Sequence, residues 1–276
     1  MAVTAEAAPA KINLALHVRR RRADGYHDIE TLFAFLADGD ALTVEDSDRD
    51  NFAITGPFAV GLSGGGTNLV TSARDAFAAM FGPTDPLAIT LDKRLPVASG
   101  IGGGSADAAA MLRVLARRRD IGRNDPALLA CAARLGADVP ACLLGRTAFG
   151  TGTGIDLTPL DSLTGTPVLL VNPGVAVSTA EVFRGWDGID RGGLAPDDPF
   201  ARAGRNDLEP VARRIAPAIG DALEALAGAP GVMLSRMSGS GATCFALFET
   251  EDARSAAARS IRADRPDWWL LESVLA

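Results

Sequence analysis

Apolar and polar residues alternate along the first part of the chain, which is the pattern of a half-buried β-strand. The alternation is clearest at residues 12–18, where the apolar positions are Ile12, Leu14, Leu16 and Val18. Further strands are predicted at residues 29–36, 41–45, 52–55 and 87–91. An Asp24-Gly25 turn separates the first two strands.

From residue 68 the apolar spacing changes to that of a helix, with Leu69, Ala73, Ala76, Phe77 and Met80 on one face. Gly82-Pro83 ends this helix. The strand at 87–91 leads into a glycine loop, residues 98–105, which opens a helix running to about residue 118. Another helix is predicted at 126–135, ending at Gly136.

The segment 147–160 is rich in Gly and Thr and weak in periodicity, so a domain boundary is predicted near residues 150–154. A strand at 168–171, a short helix at 179–186 and a polar loop through residue 205 follow. Helices at 208–227, a strand–loop–strand at 232–248, and a last helix and strand complete the pattern. Because strands and helices intermix in both halves, the predicted class is α/β or α+β with two domains.

The composition excludes some functional classes. The 276 residues include 27 Lys+Arg and 34 Asp+Glu, a net charge of −7, and 47% are hydrophobic. Disorder is therefore not expected. Because nucleic-acid and membrane-surface binding call for a basic face, neither partner is expected.

Lysine, histidine and tyrosine are scarce. The chain has 25 Arg but only two Lys, two His and one Tyr, and four of these five rare residues lie between Lys11 and His27. A compact ammonium and a planar guanidinium are not interchangeable beside a phosphate or a reacting oxygen. Each lysine is therefore a candidate for a specific role, although two lysines could also have remained by chance.

Other kinds of site and location have little support in the sequence. Cys131, Cys142 and Cys244 show no CxxC spacing, so neither a zinc site nor a disulfide framework is expected. The first residues lack the pattern of a signal or transit peptide. No apolar run approaches the about 20 residues that cross a bilayer. A soluble, cytoplasmic protein is expected.

The glycine loop is the strongest candidate for chemistry. Consecutive glycines let backbone N–H groups turn inward toward an anion, and the following helix adds its positive end. Ser105 could cap this helix or bind a phosphate oxygen. The loop lacks the Gly-Lys-Ser/Thr of a Walker A motif and does not fit the dinucleotide fingerprint. A flexible loop before a capped helix is the alternative.

Other candidates also have structural alternatives. Asp138, two residues before Pro140, could be a helix N-cap. Lys11 could be a solvated residue at a sheet edge. The run Arg19 to Arg22 fits a solvated turn better than a polyanion site, because the net charge is negative and no aromatic residues interleave. The loop at residues 238–241 could be a simple hairpin connection, or its glycines could let it approach a ligand closely.

Six segments, taken together, carry a resemblance to a known family. They are Pro9-Ala-Lys-Ile-Asn-Leu, Arg22-Ala-Asp-Gly-Tyr-His, Asp92-Lys-Arg-Leu-Pro, Gly100-Ile-Gly-Gly-Gly-Ser-Ala-Asp-Ala-Ala, Leu135-Gly-Ala-Asp-Val-Pro and Met237-Ser-Gly-Ser-Gly-Ala. In this order they resemble the motifs of the 4-diphosphocytidyl-2-C-methyl-D-erythritol kinases, a family of the GHMP kinase superfamily. The similarity spans nearly the whole chain.

The resemblance implies a two-domain GHMP kinase fold of the α/β (α+β) class. Its N-terminal ATP-binding α/β domain would comprise residues 1–152, and its C-terminal ferredoxin-like domain, on the substrate side, residues 153–276. The implied reaction is ATP-dependent phosphorylation of the 2-hydroxyl of the cytidylated methylerythritol, in the non-mevalonate route to isoprenoid precursors. ATP, with Mg²⁺, and this small molecule would be the ligands; metal ligands and oligomeric state are left open.

The resemblance also implies residue roles. Asp138 would be the general base, and Lys11 would lie beside it and keep it ionised. Tyr26, His27 and Phe183 would form the cytosine site. The remaining implied substrate-binding residues are Asn13, Thr179, Ser238, Gly239, Ser240 and Gly241. The implied ATP-binding residues are Asn68, Lys93, Pro96, Val97, Ala98, Ser99, Gly100, Ile101, Gly102, Gly103, Gly104, Ser105 and Ala106.

The sequence departs from the usual family pattern in two places. Val97-Ala98-Ser99 stands where more glycine is expected, and Ala106-Asp107 replaces the common Ser-Asn. Asp107 brings a negative charge near the expected phosphates, which would alter nucleotide affinity.

Two alternatives remain beside this kinase. Another GHMP small-molecule kinase, acting on mevalonate or homoserine, is disfavoured by the Tyr26-His27 pair. A nucleotide-binding regulator that has kept the fold and lost catalysis is disfavoured by the presence of Lys11 and Asp138.

Overall fold

The computed structural model describes residues 3–60, 62, 68–161, 163–195, 198 and 200–276. Two compact units are interleaved along the chain. One comprises residues 1–10, 38–97 and 102–145, and the other comprises residues 11–37, 98–101 and 146–276. The strands β1 (Val3–Arg21) and β2 (His27–Asp46) contribute residues to both units. The assignment of an ATP-binding domain to residues 1–152 and a substrate-side domain to 153–276 stays a prediction.

The first unit contains a strand–helix–strand crossover. Strand β3 (Asn51–Thr55) pairs in parallel with β4 (Leu87–Asp92), and helix α1 (Leu69–Phe81) lies between them in sequence. The last part of β2 pairs antiparallel with β4. Helix α1 packs on α2 (Gly103–Arg118) and α3 (Pro126–Leu135), and α4 (Val139–Leu144) packs on α2 and α3.

Local sequence explains where these helices begin and end. The Asn68 side chain accepts a hydrogen bond from the Val70 N–H, and Gly82 ends α1 with a positive φ of 93°. Ala73 and Phe77 are buried as predicted, whereas Leu69 is 37% exposed and Val70 takes its place in the core. The predicted apolar face is thus wrong by one position at its start. Apolar residues three or four positions apart fit either of two neighbouring faces of a helix, so their spacing does not decide between them.

The second unit contains an antiparallel sheet of β7 (Pro167–Asn172), β8 (Val232–Met237), β9 (Cys244–Phe248) and β10 (Trp269–Val274). Its spatial order is β10-β7-β9-β8. Helices α5 (Thr179–Arg184), α6 (Glu209–Ile215) and α7 (Ala218–Ala227) precede β8, and α8 (Glu251–Asp264) precedes β10. This βαββαβ arrangement confirms the expected ferredoxin-like element.

The segment 147–160 is a β-hairpin in the structure. Strands β5 (Ala148–Thr151) and β6 (Asp156–Pro159) pair antiparallel, and β5 also pairs with β2. A Cβ at Gly150 would lie 2.8 Å from the Phe33 ring, so a small residue is needed there. The periodicity is weak because close packing selects glycine at residue 150 and a positive φ selects it at residues 152 and 154.

Two further observations concern helices. The helical region predicted at 208–227 is divided at Pro217 into α6 and α7, because a proline cannot donate the backbone hydrogen bond that would continue the first helix. In the described part of the chain, no helix is both long and apolar enough to cross a membrane.

Candidate active site

Lys11 lies in the second unit in a buried polar chain on β1 and β2. It is 2% exposed, its Nζ donates to Asn13 Oδ1 at 3.0 Å, and its Nζ lies 5.5 Å from the Phe33 ring centroid. Asn13 Nδ2 donates to Thr31 Oγ1 at 2.8 Å, and this hydroxyl donates to the Ala15 carbonyl at 2.7 Å. The interpretation of Lys11 as a solvated edge residue is wrong.

Thr31 was not identified from the sequence. It is buried in the middle of β2 and completes the hydrogen bonding of Asn13. A threonine in a strand is common, so the sequence carries no signal that would distinguish it from other strand residues.

The Ser238 hydroxyl joins the loop at residues 238–241 to two other segments of the second unit. Its Oγ accepts a hydrogen bond from the Asn13 N–H at 3.2 Å and donates to the Gly100 carbonyl at 3.0 Å. The Lys11 N–H donates to the Ile101 carbonyl at 2.9 Å. Residues 98–101, the first part of the glycine loop, are therefore fixed against β1 and this second loop.

Glycine is required where these two loops meet. Gly100 has a φ of +79°, and a Cβ there would lie 2.6 Å from the Ser238 carbonyl oxygen and 2.7 Å from that of Gly241. A Cβ at Gly239 would lie 2.9 Å from the Gly100 carbonyl oxygen. The loops touch backbone to backbone, so glycines here serve the close approach of one loop to the other, and the approach of residues 238–241 to a ligand stays a prediction.

Asn206 holds the loop at 238–241 from the other side and was missed in the sequence. It is 5% exposed, and its Nδ2 donates to the carbonyls of Met237 and Gly239, each at 2.8 Å. Its Oδ1 accepts from the Leu208 N–H at 3.0 Å. An asparagine in a polar loop gives no periodic signal, so only the folded chain shows that its amide is fully used.

Thr179 also meets this loop. Its Oγ1 lies 2.8 Å from Ser240 Oγ, which places the start of α5 beside the second serine. Two of the predicted substrate-binding residues that are 61 positions apart are thus brought together.

An aromatic cluster surrounds His27. The imidazole is 7% exposed, and its centroid lies 5.1 Å from that of Phe183 and 5.8 Å from the Trp186 ring, which meets it edge-on. The structure thus brings His27 and Phe183 together, as the sequence predicted, and adds Trp186. Tyr26, which precedes His27, is 62% exposed. An open tyrosine ring beside a buried aromatic cluster can stack on a planar ligand.

The arginines of the turn after β1 are used in surface ion pairs. Arg20 pairs with Asp28, and Arg22 pairs with both Asp24 and Asp28. These contacts agree with the solvated-turn interpretation. His17, which had no predicted role, is buried; its Nδ1 lies 3.1 Å from the Gly192 carbonyl oxygen, and its Nε2 accepts from the Arg205 N–H at 3.2 Å.

The second part of the glycine loop lies in the first unit, where it starts α2. The helix begins at Gly103 after Gly102, which has a left-handed φ of 66° and provides no side-chain cap. Ser105 lies inside the first turn, so the possibility that it caps the helix is wrong. The first N–H groups of a helix have no acceptor within it and favour anions. This turn therefore offers backbone amides that can bind an anion.

Lys93 is buried beneath that turn rather than exposed. It is 3% exposed, and its Nζ donates to Asp107 Oδ2 at 2.7 Å and to Asp40 Oδ2. A Cβ at Gly103 would lie 3.1 Å from this Nζ. The other oxygen of Asp40 accepts from the backbone N–H groups of residues 94 and 95. Asp40 was missed because its partners lie more than fifty residues away.

The cluster of Lys93, Asp40 and Asp107 has an excess of negative charge. Two carboxylates share one ammonium, and Asp107 Oδ1 is buried without a hydrogen-bond partner among the described residues. Burial, with a contribution from Asp40, raises the pKa of Asp107 to about 7 against the opposing effect of Lys93. The charge at the base of α2 therefore changes near neutral pH.

Asp138 stands at the N-cap position of α4, yet its side chain makes no capping hydrogen bond. Its backbone has a helical φ of −83° and ψ of −15°, whereas a typical capping residue is extended. The side chain is half-buried. Asp138 thus holds the predicted N-cap position without capping the helix through its carboxylate, and its catalytic role stays a prediction.

Replacing Gly100 by alanine should destabilise the protein by about 2–4 kcal/mol, because positive φ and overlap with two carbonyls both oppose a Cβ. The free energy of unfolding in urea measures this. Gly122→Ala is the matched control, since a Cβ there meets nothing within 4 Å. Equal stability of the two variants would contradict the contact between the loops.

Asp107→Asn should change how stability depends on pH. In the folded chain the raised pKa lets Asp107 keep its proton up to a pH of about 7, whereas in the unfolded chain the carboxyl has its ordinary pKa of 3.8. This group therefore lowers the stability of the wild type as pH rises through that window, with no further loss above it.

The test is urea unfolding of the wild type and of Asp107→Asn between the two pH limits. The stability difference, wild type minus variant, should fall as pH rises. Exposed Asp75, also on a helix of the first unit, provides the control variant Asp75→Asn. A difference that does not vary with pH would show that Asp107 is ionised throughout.

Comparisons with known proteins agree with the fold. Residues 68–146 match the family model for the GHMP kinases N terminal domain, and residues 197–267 match the one for the GHMP kinases C terminal. A solved structure titled as a 4-(cytidine 5'-diphospho)-2C-methyl-D-erythritol kinase superimposes with a TM-score of 0.79 at 35% identity, covering 99% of each chain. A homoserine kinase from Cytophaga hutchinsonii, at 18% identity, has a TM-score of 0.69 and covers 99% of this chain and 94% of its own, which shows the fold alone.

Relatives with curated names match over almost the entire length. The 4-diphosphocytidyl-2-C-methyl-D-erythritol kinase of Rhizorhabdus wittichii is 55% identical, over 98% of this chain and 94% of its own. That of Sphingopyxis alaskensis is 50% identical, over 96% of each chain. On this similarity, the chain belongs to the 4-diphosphocytidyl-2-C-methyl-D-erythritol kinase family of GHMP kinases.

Proposed function

We propose that the protein transfers the γ-phosphoryl group of ATP to the 2-hydroxyl of 4-diphosphocytidyl-2-C-methyl-D-erythritol, giving the 2-phosphate and ADP. This reaction belongs to the non-mevalonate route to isoprenoid precursors. The observation that supports the proposal most directly is the aromatic cluster of His27, Phe183 and Trp186 beside an exposed Tyr26, in a chain of this family. Among GHMP kinases, a nucleobase-sized site is what distinguishes a cytidylated acceptor from a small polyol or amino acid.

The ATP phosphates are proposed to bind the backbone of the glycine loop, residues 96–106, and the first turn of α2. Asn68 and Lys93 stabilise the folded structure of this region. Asn68 caps α1, and the Lys93 ammonium lies beneath Gly103. Neither side chain needs to be a direct ligand for this support. Loop amides and a helix end can position phosphates, which is much of what phosphoryl transfer requires.

Mg²⁺ is proposed to arrive with the nucleotide. The described residues hold no group of three or more His, Cys, Asp or Glu side chains arranged to bind a metal. Mg²⁺ in kinases is commonly held by the substrate phosphates with one or two protein carboxylates, so it does not require such a group of side chains. When bound, the ion neutralises phosphate charge, and no residue of this chain is assigned to it.

Asp138 is proposed as the general base that accepts the proton of the 2-hydroxyl as its oxygen attacks the γ-phosphorus. The P–O bond to ADP breaks as the new P–O bond forms. Lys11 is proposed as the second catalytic residue, whose ammonium would favour the ionised form of the general base. Asn13 and Thr31 hold the ammonium in a fixed position, so little reorganisation is needed during transfer.

The substrate is proposed to place its cytosine between Tyr26 and Phe183, with His27 at the base edge. Stacking on aromatic rings and hydrogen bonding to the base edge are how unpaired bases are commonly recognised. Asn13 and Thr179 would contact the remainder of the substrate. The loop Ser238, Gly239, Ser240 and Gly241 would lie against its phosphates. A cytoplasmic location and the absence of nucleic-acid partners stay predictions.

The decisive comparison uses one enzyme preparation and three acceptors. ATP consumption is measured with the cytidylated methylerythritol, with mevalonate and with homoserine. The proposal expects turnover with the cytidylated acceptor alone. Turnover with mevalonate or homoserine instead would favour another GHMP activity, and no transfer to any acceptor would favour the regulator.

Asp138→Asn should reduce kcat by about 10² or more, the usual scale for a positioned base, while ATP binding remains close to wild type. Steady-state kinetics and calorimetric titration of ATP measure the two effects separately. Near-normal turnover would remove Asp138 from the role of base.

Lys11→Arg should also lose most turnover, although it keeps a positive charge. The Lys11 site is buried and shaped by Asn13 and Phe33, and a guanidinium is larger and directs its hydrogens differently. Measuring kcat beside the unfolding midpoint separates a catalytic loss from a folding defect. A folded variant with wild-type kcat would show that any cation suffices.

A further inference from the structure

Arg21, at the end of β1, contacts the imidazole at the centre of the aromatic cluster. Its Nε–H donates to His27 Nε2 at 3.4 Å, and one of its terminal nitrogens donates to the Arg184 carbonyl at 3.1 Å. The second contact ties the guanidinium to the end of α5, the helix that carries Phe183. The guanidinium is therefore held by two hydrogen bonds, one to His27 and one to the end of α5.

This contact determines which imidazole nitrogen carries the hydrogen. In a neutral imidazole one nitrogen donates and the other accepts. An arginine has no acceptor, so His27 Nε2 must be the unprotonated nitrogen and Nδ1 must carry the hydrogen. His27 Nδ1 makes no hydrogen bond to any residue in the described part of the chain.

The ring is held neutral and in a fixed plane. Burial and, next, the Arg21 charge lower the pKa of His27. Phe183 lies against one side of the imidazole, and Trp186 meets it at 83°. A neutral ring packed between these two rings and bonded to Arg21 through Nε2 presents Nδ1–H in one direction.

We propose that Arg21 is a positioning residue that holds His27 in the Nδ1–H form, so that a fixed donor meets the pyrimidine edge and selects cytosine over uracil. The inference rests on the proposed function, because it concerns the same base site. It gives a role to Arg21, which belongs to the Arg19–Arg22 run and is explained neither by the family resemblance nor by the ion pairs of that turn.

The selection follows from the two bases. Cytosine N3 is an acceptor, whereas uracil N3 carries a hydrogen. A fixed donor satisfies the first and opposes the second, and an unmatched polar pair in a partly dry site lowers affinity by about tenfold or more. If the imidazole could exchange its hydrogen between nitrogens, Nδ1 could accept from uracil and much of the discrimination would be lost.

The form of His27 is measured directly by long-range ¹H–¹⁵N NMR of the whole protein. The chain has two histidines, so the spectrum is simple, and His17→Gln assigns it. His17 is an internal reference, because its Nε2 accepts from the Arg205 N–H and its ring does not touch Arg21. The wild type should show His27 with the hydrogen on Nδ1.

Arg21→Met removes the donor and keeps much of the apolar stem. In this variant the His27 signals should move toward a mixture of the two neutral forms, and the His27 pKa should rise because a nearby cation is lost. Arg20→Met is the matched control, since exposed Arg20 pairs with Asp28 instead. The His17 signals should stay unchanged in both variants.

Binding of CDP and UDP, two probes of equal charge, gives the functional readout by calorimetry. The wild type and Arg20→Met should bind CDP about tenfold or more tighter than UDP. In Arg21→Met this ratio should fall at least about threefold, mainly through tighter UDP binding, with the fold intact by thermal unfolding. A change in global stability would weaken both ligands and leave the ratio unchanged.

Two outcomes would overturn the inference alone: His27 with its hydrogen on Nε2 in the wild type, or an unchanged CDP-to-UDP ratio in Arg21→Met while the cytidylated substrate is still phosphorylated. If the wild type binds neither probe and phosphorylates no cytidylated substrate, the proposed function fails and the inference fails with it.

Discussion

The backbone contact between two glycine loops, fixed by the Ser238 hydroxyl, is the constraint on which the buried polar residues around Lys11 depend. One hydroxyl accepts from β1 at Asn13 and donates to Gly100, and both loops approach so closely that neither can carry a Cβ at the contact. Asn206 holds the same loop from its other side. The position of β1 near Lys11 is therefore set by close backbone packing together with the buried, fully hydrogen-bonded side chains of Ser238 and Asn206.

The two lysines illustrate how a rare residue acquires meaning from its surroundings. Each is almost fully buried, and each ammonium is held by oxygen acceptors: Lys11 by an amide, Lys93 by two carboxylates. A buried ammonium is costly unless it is paired, so chance retention explains neither position well. Lys93 lies beneath the first turn of α2, next to the loop to which the family resemblance assigns the nucleotide, and its proximity to ATP stays a prediction.

Local patterns predicted those parts of the fold that local forces determine. The strand at 12–18, the helix capped by Asn68 and the helix ending at Gly136 follow from periodicity and capping chemistry. The hairpin of β5 and β6 was missed because its glycines are selected by the contact of Gly150 with Phe33 and by the positive φ of Gly152 and Gly154. The interleaving of the two compact units was also missed, since it depends on which distant segments pack together.

The site could be predicted in part for the same reason. Motifs identified Lys11, His27 and the two glycine loops, and the structure brings together His27 with Phe183 and Thr179 with Ser240. Thr31, Asp40, Asn206 and Trp186 were missed because their partners lie far away in sequence and their residue types are ordinary in their elements. Arg21 was noticed only as part of a charged run, since its contact with His27 depends on the end of α5.

A crystal structure of the protein with a non-hydrolysable ATP analogue and the cytidylated methylerythritol tests the central claim most directly. The account predicts cytosine between Tyr26 and Phe183, the γ-phosphate at the first turn of α2, and the 2-hydroxyl within hydrogen-bond distance of Asp138. Cytosine bound away from the His27 cluster, or a 2-hydroxyl facing some other base, would contradict it.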